Sequence, residues 1–149
     1  MDEVLDKEGL AAWEAFVFAH AAAVGRIERE FAAAGVVSLT WYDVLTALTA
    51  APGRRRRLQD LADEVVLSRS GLTRLIDRVE AAGLIRREPC ETDRRGTYAV
   101  LTPAGEQAVE RAWPVYARGI ARHFADRLTG EEKRVLAEAL RRVRQQPTV

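Results

Sequence analysis

A mainly α-helical chain with one small β element is predicted from three observations. Apolar residues keep a spacing of three and four along most of the 149 residues, the spacing gives way to alternation between residues 84 and 101, and Gly or Pro marks the changes. One long helix, a group of shorter helices, a hairpin and two closing helices should follow in that order. At 48% hydrophobic and 30% charged the composition is that of one compact domain, which excludes a disordered or collagen-like chain.

Leu10, Trp13, Val17, His20, Val24, Ile27 and Phe31 alternate in steps of three and four, so the first helix carries a single seam whose one polar slot is His20. Gly35 is placed to end it. Thr40 with Asp43 has the form of a capping box for a second helix, Trp41 to about Ala50, which Pro52-Gly53 stops. After the run Arg54–Arg57, Leu58, Leu61, Ala62 and Val65 give a helix of about two turns. Val66-Leu67 forms a tight apolar connection, and Ser68 can cap the next helix, which buries Leu72, Leu75, Ile76 and Val79 and ends at Gly83. Two short amphipathic helices this close in sequence have the spacing of a helix-turn-helix unit. Residues 84–88 and 97–101 then read as strands around a loop carrying Arg94 and Arg95. Thr102-Pro103 opens a long helix to about Arg127, with Val109, Trp113, Tyr116, Ile120 and Phe124 on one side and a bend expected at Pro114. Thr129 to Glu132 is a second capping box, opening a last helix with Val135, Leu136, Leu140 and Val143 apolar.

The net charge of +1 conceals a division along the chain. Residues 1–34 hold three basic and seven acidic side chains, 54–95 hold eleven arginines against eight acids, and 103–149 hold nine basic against six acidic. A positive middle favours a polyanionic partner, and oppositely charged ends can pack together without net repulsion. The lone Cys90 excludes an intrachain disulfide and, with no basic-then-apolar leader and no apolar run approaching about 20 residues, a cytoplasmic protein with no membrane partner is expected.

The side of the helix after Ser68 opposite its apolar residues presents Ser70, Thr73, Arg74, Asp77 and Arg78, with Arg69 at its start. Such side chains suit the major groove: Arg offers two parallel donors to guanine, and Ser or Thr bonds base edges or phosphate. A solvated charged face is the alternative. The Arg-tipped hairpin beside it favours the nucleic-acid reading, because such a loop can enter the adjacent minor groove.

The stretch LQDLADEVVLSRSGLTRLIDRVEAAGLIRREPCETDRRGTYAVLTPAG resembles the winged helix-turn-helix of the MarR family of bacterial transcription regulators, most specifically in DRRGTYAVLTPAG. The resemblance extends over about residues 10–145. It implies one domain in which residues 5–35 and 104–146 form dimerisation helices and 39–102 a winged DNA-binding lobe. It further implies that Arg69, Ser70, Thr73 and Arg74 face the major groove, that Arg95 enters the minor groove and that Asp93 holds Arg95; Arg78 on the outward helix face and Arg94 near the hairpin tip are counted with them as DNA-binding. The expected function is that of a homodimeric repressor of nearby genes, released from a near-palindromic operator by a small aromatic or phenolic effector. Trp13, Phe16, His20, Trp41, Tyr42, Trp113 and Tyr116 come from helices that would line the effector pocket, although aromatics at helical spacing also simply fill cores. His20 is either a ligand contact or a hydrogen-bonded seam histidine.

By the same resemblance Arg54–Arg57 includes the first strand of the wing sheet, where the arginines are either solvated or in part phosphate-binding. Cys90 at the base of the wing does not match the redox-sensing thiols of related regulators, which lie near the first helix. No phosphate loop, nucleophile elbow or metal-ligand spacing is present, so neither an enzyme nor a cofactor or metal site is expected. A winged-helix adaptor that holds a protein without DNA is the other reading, and it would need an apolar anchor on the outward helix face.

Overall fold

A computed structural model describes residues 4–65, 69–92 and 96–145, and the backbone alone of Arg69 and Ser70. The Val66-Leu67 connection and the Ser68 cap lie outside the described residues. Six α-helices are described: α1 (Lys7–Ala34), α2 (Leu39–Thr49), α3 (Leu58–Glu64), α4 (Arg69–Ala81), α5 (Pro103–His123) and α6 (Gly130–Arg144). With them come β1 (Arg55–Arg57), β2 (Ile85–Pro89) and β3 (Thr97–Leu101), an antiparallel sheet in the order β1-β3-β2. Two compact units divide the chain, Glu30–Val115 on the one hand and Met1–Arg29 with Tyr116–Val149 on the other; α1 and α5 contribute to both.

The unit Glu30–Val115 has a continuous core. Val44, Leu45 and Leu48 of α2, Leu61 of α3, Leu72, Leu75, Ile76 and Val79 of α4, and Ile85, Ala99 and Leu101 of the sheet are buried together. Strand alternation turns Ala99 and Leu101 inward with Ile85, which pairs across from Leu101. Gly83, at φ +77°, ends α4 in the left-handed conformation that a residue without Cβ adopts freely, and Gly35 at +66° does the same for α1.

Several expectations are corrected. The cap of α2 is Ser38, whose Oγ accepts from Trp41 N at 3.3 Å, and not Thr40. Leu39, buried, is already helical, so the extended residue that can cap is the one before it. The long helix after Pro103 ends at His123, followed by a 3-10 turn Ala125–Arg127. Its packed side within Glu30–Val115 is Gly105, Ala108 and Ala112, with Val109 half-buried against the core as expected and Trp113 exposed. The cause is a close approach: a Cβ on Gly105 would overlap Leu84 O and stand 2.7 Å from Leu101 Cδ1. Thr102 fixes that junction. Its N–H donates to Leu84 O at 3.1 Å, its hydroxyl donates to Gly83 O at 2.6 Å and accepts from Gly105 N at 3.1 Å.

In the helical unit, the Thr129–Glu132 capping box is present in both directions, at 3.2 and 2.8 Å. A groove of about 770 Å³ runs between α1, the end of α5 and α6, lined by Phe16, His20, Ile27, Ile120, Phe124 and Leu140 among others. The seam of α1 is mostly uncovered: Leu10, Trp13 and Val17 are exposed, and only Ile27 and Phe31 of the seven are buried. The expectation that no apolar run reaches membrane-span length is also corrected, since α1 is long and apolar enough by length and composition to cross a membrane. Glu14 and His20 interrupt its alanine-rich stretch, which is why a count of unbroken apolar residues passes over it.

Candidate nucleic-acid interface

Helix α4 separates its residues cleanly. Leu72, Leu75, Ile76 and Val79 are buried, and Thr73, Arg74, Asp77 and Arg78 are exposed on the other side. Four apolar anchors at helical spacing fix the rotation of the helix, so the outward set is determined by the core beneath it. Arg74 extends from that face. Arg78 lies back along the helix, its Nε donating to Arg74 O at 3.4 Å. Asp77, which the sequence places among the groove-facing residues, forms an ion pair with Arg87 of β2. Arg87 also reaches Glu80 Oε1 at 3.2 Å, and its backbone N–H donates to Glu80 Oε2 at 2.8 Å. Two turns of α4 are thereby clamped to the first strand of the hairpin. The side chains of Arg69 and Ser70, and all of Asp93, Arg94 and Arg95, lie outside the described residues.

The hairpin is closed at its loop by Cys90 N donating to Gly96 O at 3.0 Å. Cys90 is buried, with Sγ 3.4 Å from Thr92 Oγ1. Neighbouring Arg86 and Arg87 are engaged by Glu88 and by Asp77 and Glu80.

The arginine run resolves residue by residue. Arg54 pairs with Glu106 of α5, Arg55 approaches Glu88 at 4.0 Å, and Arg56 pairs with Glu64 of α3 at 3.1 Å. Arg57 donates to Thr92 Oγ1 at 3.5 Å, and hydrogen bonding with Tyr98 raises its already high pKa. Arg55 and Arg57 both lie over the Tyr98 ring, an arrangement the linear sequence does not disclose because it depends on β1 pairing with β3. Period-two alternation along the run was the available clue.

The expected effector residues are distributed. Trp13, Phe16 and His20 follow one another along α1 at centroid spacings of 6.2 Å, and Phe16 and His20 line the groove of the helical unit. In Glu30–Val115, Tyr42 is buried edge-on to Phe31 at 5.8 Å, Trp41 is half-buried against the core, and Trp113 is exposed. Tyr116 is half-buried. Among the described residues no cluster of His, Cys, Asp or Glu is arranged to hold a metal ion.

Helices α3 and α4, with a β-hairpin on a three-stranded sheet beside them, define a winged helix-turn-helix protein. The MarR family profile matches residues 37–96. AbsC, a MarR family transcriptional regulator from Streptomyces coelicolor, superposes with a TM-score of 0.84 at 33% identity, over 95% of either chain. Sco3205, a MarR family regulator of the same organism solved in complex with DNA, gives a TM-score of 0.88 at 29% identity, over 99% of this chain and 94% of that one. The uncharacterized HTH-type transcriptional regulator YkoM of Bacillus subtilis is 30% identical over 81 residues, 54% of this chain, which thus spans about half (53%) of that relative. The chain belongs to the MarR family of transcriptional regulators.

Proposed function

We propose that the protein is a homodimeric DNA-binding regulator that places α4 in the major groove and the hairpin tip in the neighbouring minor groove. The carrying observation is the division of α4 into a buried face of Leu72, Leu75, Ile76 and Val79 and an exposed face bearing Thr73, Arg74 and Arg78, with the hairpin clamped to it through Arg87. The DNA-bound state of Sco3205 supports the reading. Among the described residues the outward positions of α4 offer no apolar anchor, which an adaptor for a protein partner would centre on.

Two copies related by a two-fold axis would read half-sites about one helical turn apart, hence a near-palindromic operator. The exposed apolar side of α1 and the exposed Val135 and Val143 of α6 are the surface a second copy would cover. Repression of nearby genes, relieved by a small aromatic ligand, completes the reading; of the seven candidate effector residues, Phe16 and His20 line the groove that offers such a ligand an apolar wall. Asp93, Arg94 and Arg95 are assigned to the hairpin tip, and Arg69 and Ser70 to the start of α4, on sequence alone.

The test is titration of the full chain against random-sequence and promoter-derived duplexes at two salt concentrations. Binding should weaken steeply with salt, and Arg74→Ala should cost about 1–3 kcal/mol while leaving self-association intact. Salt-independent or absent binding to both duplexes would overturn the proposal.

A further inference from the structure

Strands β1 and β2 carry five arginines, and alternation sends them to opposite faces of the sheet. Toward the helices, Arg56 meets Glu64 and Arg87 meets Asp77 and Glu80, so carboxylates outnumber guanidiniums. These are internal ties. On the other face Arg55 and Arg57 are in register with Val100 and Tyr98, and Arg86 and Glu88 pair with the same two residues from β2. Glu88 is the one acid at these strand positions, 2.9 Å from Arg86 and 4.0 Å from Arg55.

The outer arginines are held in place as well as concentrated. The guanidinium carbons of Arg55 and Arg57 lie 4.6 and 5.9 Å from the Tyr98 centroid, within the range of cation–π attraction. Two like charges against one ring repel each other, and a role confined to bracing the sheet does not call for them. Half of the Arg55 side chain and 56% of that of Arg86 remain in water, so their donors can reach a ligand.

We infer that this outer face of the wing sheet, Arg55, Arg57 and Arg86 around Tyr98, is a second phosphate-binding surface that grips the DNA backbone flanking the segment contacted by α4. The inference rests on the DNA-binding reading above and extends its footprint. Planar guanidiniums match phosphate oxygens in pairs. An acidic protein segment would share the charge, but its interface would want an apolar centre. Here Val100 is buried and the Tyr98 ring is covered by two guanidiniums. The face also runs along β2 and β3 toward Cys90 and Gly96, whose backbone hydrogen bond closes the base of the hairpin loop.

The experiment is fluorescence anisotropy of the full chain with a random-sequence duplex several helical turns long, across a salt series. The Arg55→Ala/Arg57→Ala variant should bind about tenfold more weakly at low salt, and its plot of log K against log salt should be shallower by about 1–2 per protomer. Arg55→Lys/Arg57→Lys should retain most of the wild-type slope, because counterion release counts charges, whereas a bracing role for the planar guanidiniums would fail in both variants alike. Glu88→Gln, which removes the local acid, should tighten binding about threefold, a gain that misfolding does not imitate. Unchanged affinity and slope in the alanine variant, an equal loss of slope in the alanine and lysine variants, or no gain in Glu88→Gln would each overturn the inference. So would a labelled polyglutamate peptide that the wild type binds and Arg55→Ala/Arg57→Ala does not, with DNA affinity preserved in that variant, which would assign the face to an acidic protein. If the wild type itself binds no DNA, the proposed function fails. If it binds, and Arg74→Ala weakens it while Arg55→Ala/Arg57→Ala does not, only the second surface fails.

Discussion

In the unit Glu30–Val115, Val44, Leu45, Leu48, Leu61, Ile76 and Val79 are sealed from solvent; in the unit Met1–Arg29 with Tyr116–Val149, Ile27 is the one buried hydrophobic among the described residues. Trp13, Phe18, Val135 and Val143 of the latter each stand more than half exposed. Both units contain amphipathic helices, and the three-stranded sheet belongs to Glu30–Val115 alone; the exposed apolar residues of the other unit lie on formed helices, so what they lack is tertiary cover. One has its apolar partners within the chain, and the other presents apolar surface of the kind that association covers.

Substitutions in the two units should therefore fail in different ways. The largest effect is expected for Ile76→Ala, which removes wholly buried side-chain volume from the closed core and should cost about 2–5 kcal/mol in urea unfolding. Trp13→Glu should leave that core intact and instead weaken self-association in sedimentation equilibrium by about ten- to a hundredfold, the equivalent of about 1.5–3 kcal/mol for one large apolar side chain. An unchanged association constant would mean that the exposed seam of α1 is not covered by a second copy. Gly105→Ala should destabilise by about 1–3 kcal/mol, because the added methyl must displace Leu84 O. Its effect should not depend on protein concentration.

The smallest effect concerns α6. The Thr129 backbone N–H, and secondarily its hydroxyl, hold the Glu132 carboxyl below its usual pKa. A lowered folded value means stability that is present above the unfolded carboxylate pKa and is lost as pH falls through the folded one. Far-UV circular dichroism should show α6 loosening at acid pH in the wild type, and Glu132→Gln should lack that acid-linked step.

Local signals made much of this legible. Gly35 and Gly83 end helices in the left-handed conformation, Thr129 caps with Glu132, and the apolar positions of α4 are its buried ones, because each depends on residues a few steps apart. The misplaced cap of α2 shows the limit: Ser38 and Thr40 are both competent hydroxyls, and burial of Leu39 decides between them. The packed side of α5 was hidden for a different reason. Periodicity favours large residues such as Trp113, whereas the close approach of Leu84 O leaves no room for a side chain at 105, and the buried residues that follow on α5 are Ala108 and Ala112. Partners of the arginine run, Glu64, Glu88 and Glu106, are set by sheet register and helix docking, which no window of sequence contains.

The junction at Thr102 carries a mechanical implication. Its three hydrogen bonds and the side-chain-free contact at Gly105 join the first turn of α5 to Gly83 and Leu84, the residues that follow α4. Tilting the first turn of α5 against α4, whose outer side carries Arg74, would therefore require breaking those hydrogen bonds.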